Sequence, residues 1–250
     1  QYFLPGLLAL ALLLFGRVTL AATDSESLSI EKPKQIERLY NHVSIHPNGE
    51  QWLIDECTER INPPHHSCYL FIYKRSDQSY KRYDLDPAYS YTDARFSPTG
   101  KFIVAVRRKT SRDKSYEARL KEYTESELVV LRIDGSDIQV LPTPKGRVKS
   151  PVMSPDESKI AYWISGRTRP PGEKTIFMDF DIREFDLASG RDALFTGPYR
   201  FFEAHTLHYK TADILIANAY APLAFVTSMG PYRNKYGSSS IYFFERGEHK

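Results

Sequence analysis

The chain has 250 residues, 41% apolar and 26% charged, a globular composition sized for one large domain or two small ones. Its 17 Tyr and 14 Phe against 13 Gly exclude collagen-like or glycine-rich filler and point to many half-buried strands. A net charge of +3 is too small for a dedicated nucleic-acid binder, and two cysteines exclude a disulfide-dense scaffold or a four-cysteine zinc site.

The N-terminal stretch Leu4 to Phe15, LPGLLALALLLF, has the length of a secretory core and is short for a membrane span. Small residues follow in Thr19 to Ala22 and offer a cleavage site after Ala21 or Ala22. Residues 1–22 therefore read as a signal peptide truncated at its start, which makes the protein periplasmic or secreted. The alternative is an uncleaved segment that anchors the chain to a membrane. Removal of residues 1–22 takes away Arg17 and leaves a net charge of +2, with no membrane span in the mature chain. In the N-terminal segment 23–40, PKQIERLY (33–40) reads as a stray outer strand. Cys57 and Cys68 enclose TERINPPHHS, and in an oxidising compartment the pair is expected to form a disulfide. Two alternatives are a metal site using His65 and His66 with the thiols, and a buried pair of free thiols.

A repeat then organises the chain. SIHPNGEQWLIDE (44–56), RFSPTGKFIVAV (95–106), VMSPDESKIAYWI (152–164) and LHYKTADILIANA (207–219) align, with Pro47, Pro98, Pro155 and Lys210 spaced by 51, 57 and 55 residues. A second signature follows each: CYLFIYKRS (68–76), ELVVLRIDGS (127–136), IREFDLASG (182–190) and SIYFFERGE (240–248). Three units add YKRYDL (80–85), IQVLPT (138–143) and DALFTG (192–197). The Ser/His-Pro element enters a tight turn, and the run after it, such as Lys101 to Val106, is apolar at nearly every position. Such a run is a strand buried on both faces. Four-stranded antiparallel units stacked around an axis supply that burial, which is the architecture of a β-propeller. The fold class is all-β, with blades at about 41–85, 91–142, 148–196 and 201–246, and the ring is expected to be incomplete.

The phrases FSPTGKFIVAV and MSPDESKIAYWI resemble the Ser-Pro-Asp-Gly repeat of TolB-type, WD-repeat-like propellers. VVLRIDGS and IREFDLASG are similar to that family's third strand and turn. The resemblance spans residues 35–250; the first unit has His46 in place of Ser, and the fourth has Tyr209–Lys210 in place of Ser-Pro. It implies a periplasmic, envelope-associated setting and names no partner.

No catalytic constellation stands out. Gly237-Ser238-Ser239-Ser240 lacks the second glycine of a nucleophile elbow, and no phosphate loop, dinucleotide fingerprint or His-Glu-x-x-His occurs. His42 and His46, four apart on a strand, lie roughly 13 Å apart and cannot share one ion directly. His205 and His208, three apart, fall on opposite faces of a regular strand. Asp179 and Asp181 share a face but lack a glycine-bearing loop for calcium. No cofactor or metal is expected.

Strand alternation places every connection between second and third strands on one face: 57–67, 107–126, about 164–175 and 219–239. Their charges are zero, +3, +2 and +2, so the four loops carry +7 and the rest of the mature chain about −5. Long loops gathered on one rim of a rigid scaffold commonly carry binding function. The expected contact residues are Arg107, Arg108, Lys109, Arg167, Arg169, Arg233 and Lys235, with Tyr116, Tyr123 and Tyr232 interleaved. The second loop also holds the one helical pattern of the mature chain, KSYEARLKEYTES, with Tyr116, Leu120 and Tyr123 on one stripe and a Glu117–Lys121 pair.

These features favour a non-catalytic exported propeller that binds a protein or an acidic ligand, rather than nucleic acid, through the basic face. Two alternatives remain open. One is the N-terminal propeller of a prolyl-oligopeptidase-like serine peptidase with its hydrolase domain beyond Lys250. The other is a propeller lyase or hydrolase acting on acidic sugars, which needs histidines from several blades to converge on the axis.

Overall fold

The computed structural model describes residues 37–61, 64–111, 115–168, 177–195, 201, 203–220 and 239–246. The signal segment 1–22 and residues 23–36 lie outside them. The described chain is an all-β propeller of antiparallel blades.

Blade 1 contains β1 (Glu37–Ile45), β2 (Gln51–Ile61), β3 (Pro64–Lys74) and β4 (Tyr80–Arg82) in sequential order. Blade 2 is the same meander of β5 (Tyr89–Phe96), β6 (Phe102–Lys109), β7 (Glu127–Arg132) and β8 (Gln139–Leu141). Its second-to-third connection carries helix α1 (Tyr116–Thr124). Blade 3 begins with β9 (Arg147–Met153) and β10 (Lys159–Ser165). A separate ribbon, β11 (Arg167–Thr168) paired with β12 (Phe177–Met178), precedes β13 (Asp181–Asp186) and β14 (Asp192–Leu194). Blade 4 shows three strands among the described residues: β15 (Ala204–Thr211), β16 (Ile214–Ala219) and β17 (Ser240–Glu245).

Burial follows the pattern that the apolar runs require. On β6, Ile103 and Ala105 join Leu53, Leu70 and Tyr91 in a core between blades 1 and 2. The alternate residues Val104 and Val106 join Met153, Ile160 and Tyr162 between blades 2 and 3. A third core, around Trp163, Phe180, Phe201 and Leu207, lies between blades 3 and 4. No such cluster joins blade 4 to blade 1 among the described residues. There the outward faces show Ile45 60% and Trp52 39% exposed on blade 1, and Ile241 66% and Phe243 63% exposed on blade 4.

The Ser/His-Pro turns form as the motif dictates. Gly100 N–H donates to Ser97 O, and Glu157 N–H donates to Ser154 O, both at 2.9 Å. The Ser97 and Ser154 hydroxyls accept the backbone N–H of Phe102 and Lys159. In the first unit the His46 ring makes a more local bond, its Nδ1 accepting the Asn48 N–H at 3.2 Å. That ring also lies against Gly100 of the next blade: with φ +76°, a Cβ there would sit 1.9 Å from His46 Nε2.

Two expectations are corrected. Residues 37–40, read as a stray outer strand, are the first half of the innermost strand β1 and pair with Glu56 to Glu59. Residues 57–67, read as a loop, are a continuation of the β2–β3 hairpin whose ladder runs to Ile61 and Pro64. Both errors share one cause: polar residues in these strands mask a ladder that backbone pairing sustains.

Candidate functional site

Each innermost strand is longer than its partner spans, by one residue on β1, β5 and β9 and by two on β15, where a second slip falls between Tyr209 and Thr211. The register slips between Tyr40 and His42, between Thr92 and Arg95, between Lys149 and Val152, and between Ala204 and Thr206. Such bulges bend a strand and re-aim its side chains. Asp93 and Ser150 take left-handed backbone conformations there, with φ of 53° and 47°. The bulges are wired blade to blade. Asp93 N–H donates to the Asp55 carboxylate at 2.7 Å, and the Asp93 carboxylate accepts the Ser150 N–H at 3.2 Å. The Ser150 hydroxyl donates to the His205 carbonyl. The sequence holds a signal for two of them: a polar residue five positions before the turn proline in TDARFSP and SPVMSP.

The bulges shape the axial end of the face that carries the second-to-third-strand connections. A cavity of about 480 Å³ opens there, lined among others by His42, Asp93, Arg108, Tyr123, Arg147, Lys149 and His205. Arg108, at the end of β6, turns inward; its Nη2 reaches Thr92 Oγ1 at 3.3 Å, and its buried Nε has no hydrogen-bond partner among the described residues. Its guanidinium lies 4.9 Å from the ring centroid of Tyr123. The Arg147 guanidinium lies 4.8 Å from the same centroid. Lys149 Nζ donates to the Ala204 carbonyl at 2.6 Å. None of these three cations meets a carboxylate within ion-pair distance among the described residues.

Burial is costly for these charges. It pushes Lys149 down to about 8, with the neighbouring Arg147 charge acting in the same direction. Burial also holds Arg147 below the usual arginine range. His42 is lowered by burial and then by Arg95, and His205 by burial and then by Lys149. Deeper on the axis, Arg95 is 7% exposed and donates from Nη1 to the Leu207 carbonyl at 2.6 Å, tying blade 2 to blade 4.

Tyr123 reaches the cavity because α1 docks on the propeller. The Ser115 hydroxyl caps the helix by accepting the Ala118 N–H at 3.2 Å. Leu120 and Tyr123 pack against the core between blades 3 and 4, the stripe that the helical pattern predicts. Lys121 lies 4.0 Å from Glu125, a different i, i+4 neighbour from the expected Glu117.

The expected contact residues divide into three groups. Arg107 is held by Glu127 at 2.6 Å and lies over the Tyr89 ring, so its charge is already matched. Lys109 is exposed on the rim, whereas Arg108 and Tyr123 line the axial cavity. Arg167 sits in β11 and Tyr116 opens α1, with their side chains outside the described set. Arg169, Tyr232, Arg233 and Lys235 lie outside the described residues. Sequence reasoning missed Arg147 and Lys149, because they stand on an innermost strand rather than in a long loop.

Cys57 and Cys68 are disulfide-bonded as facing residues of β2 and β3, with Cα atoms 4.0 Å apart. The side chains of His65 and His66 lie outside the described set. His42 and His205, from different blades, line one cavity, an approach that spacing within either strand does not reveal. Among the described residues no group of three or more His, Cys, Asp or Glu could hold a metal ion. Nor is any described helix long and apolar enough to cross a membrane.

Neither a protein-family model nor a curated protein matches the sequence. Solved structures match through the fold. A TolB-assigned protein from Agrobacterium tumefaciens superposes with a TM-score of 0.53 at 16% identity, over 83% of this chain and 58% of that one. The acylaminoacyl peptidase of Pyrococcus horikoshii gives 0.52 at 11% identity, over 85% and 32%. TolB from Acinetobacter baumannii gives 0.45 at 15% identity, over 71% and 37%. The chain thus spans 37% and 58% of the two TolB structures. Its fold is a TolB-like β-propeller.

Proposed function

We propose that the protein is an exported, non-catalytic propeller that binds an acidic partner through the face bearing its second-to-third-strand connections. One observation carries this reading: Arg108, Arg147 and Lys149 line one axial cavity beside a single lining acid, Asp93, and none of the three has a carboxylate within ion-pair distance among the described residues. Unpaired cations in a partly desolvated cleft attract an opposite charge and focus its approach. The TolB-like fold supports a periplasmic protein-binding role. The test is capture of acidic envelope proteins by the purified protein at low and at physiological salt. Capture that falls with salt supports the reading. Salt-independent capture, or none, refutes it.

A second reading has one supporting observation, the likeness to the propeller-bearing acylaminoacyl peptidase. In it the chain is the access-restricting propeller of a serine peptidase. Labelling of the full-length protein by a serine-directed fluorophosphonate would favour it over the binding role.

A further inference from the structure

We propose that the axial cavity is a carboxylate receptor, in which Arg108, Arg147 and Lys149 together take one Glu or Asp side chain of an extended acidic peptide. The inference rests on the acidic-partner reading and narrows it from a charged rim to one built pocket. The two guanidinium groups lie 4.9 and 4.8 Å from the centroid of the same tyrosine ring, and both residues line the one cavity. Among the described residues the buried Arg108 Nε has no hydrogen-bond partner, and Arg147 has no carboxylate within ion-pair distance, although Asp93 and Glu203 lie near enough to act on its charge. Lys149 supplies an ammonium whose one hydrogen-bond acceptor among the described residues is the Ala204 carbonyl. A carboxylate is the ligand that can accept from all three, because it offers two oxygens and about four lone-pair directions.

Size and shape choose the source. The cavity of about 480 Å³ falls within the range of small-ligand sites and holds a side chain with its adjoining backbone, not a folded element. A sugar acid would need an open aromatic face on which to stack. Tyr123, the aromatic residue lining the cavity, already has two guanidinium groups over its ring. Recognition therefore falls to charge and hydrogen bonds, which an acidic peptide satisfies.

The occupied cavity has a pH signature. Lys149 faces Arg147, Arg108, Asp93 and Glu203, with His205 close by; burial and the two arginines disfavour its charge, and the two acids favour it. A bound carboxylate adds a further opposite charge and restores the ammonium form. Affinity is therefore greatest below about pH 8 and falls as the pH rises through the Lys149 transition.

The experiment is a fluorescence-anisotropy titration of the purified protein with three probes: a labelled Glu-rich peptide, its Gln-for-Glu counterpart and a labelled oligogalacturonate. The variants are Arg147→Met, Lys149→Met and, on the exposed rim, Lys109→Ser. Selective binding of the Glu peptide is expected, weakened on the order of tenfold or more by either cavity variant, as loss of a charge-assisted hydrogen bond implies. Lys109→Ser should change it by less than about twofold. If Arg147→Met fails to fold, as judged by its near-ultraviolet circular dichroism, Lys149→Met and the Lys149 titration in the wild type carry the test. A Lys149 transition that moves upward on adding peptide supports the receptor; one that stays fixed overturns it. Wild-type-like binding by the cavity variants, with loss in Lys109→Ser, overturns the receptor and leaves the acidic-partner reading standing. Preference for oligogalacturonate overturns the peptide assignment. A wild type that binds neither acidic probe and captures no acidic protein overturns both readings.

Discussion

The two ends of the propeller treat their charges in opposite ways. At the turn end, carboxylates are matched. Asp156 accepts from the Ser154 and Ser158 hydroxyls, and Glu157 accepts from the N–H and hydroxyl of Thr99 in the neighbouring blade. Glu184 holds both Arg246 nitrogens at 2.7 Å and the Tyr209 hydroxyl at 2.7 Å, with Lys159 at 3.6 Å. At the cavity end, the three cations line the cavity with one acid, Asp93, whose Oδ2 already accepts a backbone N–H. A polar group that is satisfied in place stabilises the fold; one left unsatisfied costs stability and is available to a ligand. The turn end therefore holds blades together, and the cavity end is where a partner is received.

The largest effect is expected from breaking the matched end. Glu184→Ala leaves the Tyr209 hydroxyl without its acceptor and strips Arg246 of its two-pronged partner, leaving it Asp213 and the Ala212 carbonyl, and should cost about 3 kcal/mol. Chemical denaturation should show a lower midpoint, with acidic-peptide affinity unchanged. Equal stability would mean that the turn end is not the clamp its geometry describes. Replacing Cys57 and Cys68 with Ser removes a cross-link over 11 residues and should cost about 2–3 kcal/mol, read the same way. Because both cysteines line the cavity, this variant should also lose some affinity.

The asymmetry was only half legible in the sequence. The turn end announces itself, since Ser-Pro, Asn-Gly and Asp-Gly have local conformational meaning, and the apolar run Phe102 to Val106 can only be a strand buried on both sides. The helix was equally readable from Leu120 and Tyr123. The cavity is not local. Arg147 and Arg108 are 39 positions apart and meet over Tyr123 only once three blade elements are assembled. The loop charge count reached Arg108, which lines the cavity. It also included Arg107, whose balance by Glu127 across the β6–β7 ladder requires the register to be known. The bulges at Asp93 and Ser150, which aim Lys149 and Arg95 inward, break the period-2 pattern that strand reading relies on.

A smaller effect has the opposite sign. Lys149→Met removes a buried ammonium and should stabilise the protein by about 1 kcal/mol at neutral pH, offset in part by the loss of the bond to Ala204. The sign follows from linkage. The folded-state value of about 8 lies below the ordinary 10.5, so between these values the unfolded chain binds more protons. Wild-type stability from this group therefore rises as the pH rises through that window, and the Met variant lacks the rise. Denaturation midpoints of the two proteins should converge towards pH 10. Parallel curves would show that Lys149 is not the strained cation.

The smallest change in stability, and the sharpest contrast between the two ends, comes from replacing one acid at each end by its amide. At the cavity, Asp93→Asn keeps a residue type that tolerates the left-handed backbone and an oxygen able to accept the Ser150 N–H. Its stability should stay within about 0.5 kcal/mol of the wild type. The variant removes the negative charge that supports the ammonium form of Lys149, so the Lys149 transition should move further down. It also removes the acid that competes with an incoming carboxylate, so affinity for a Glu-rich peptide at pH 6 should rise severalfold. Asp156→Asn at the turn end removes a charge of the same sign from a site already matched by serine hydroxyls, and affinity should not move. Anisotropy titrations of both variants read the contrast directly. Tighter binding in Asp93→Asn alone confines recognition to the cavity. Equal tightening in both would reduce the effect to net charge, and weaker binding in Asp93→Asn would identify Asp93 as part of the recognition surface instead of a competitor within it.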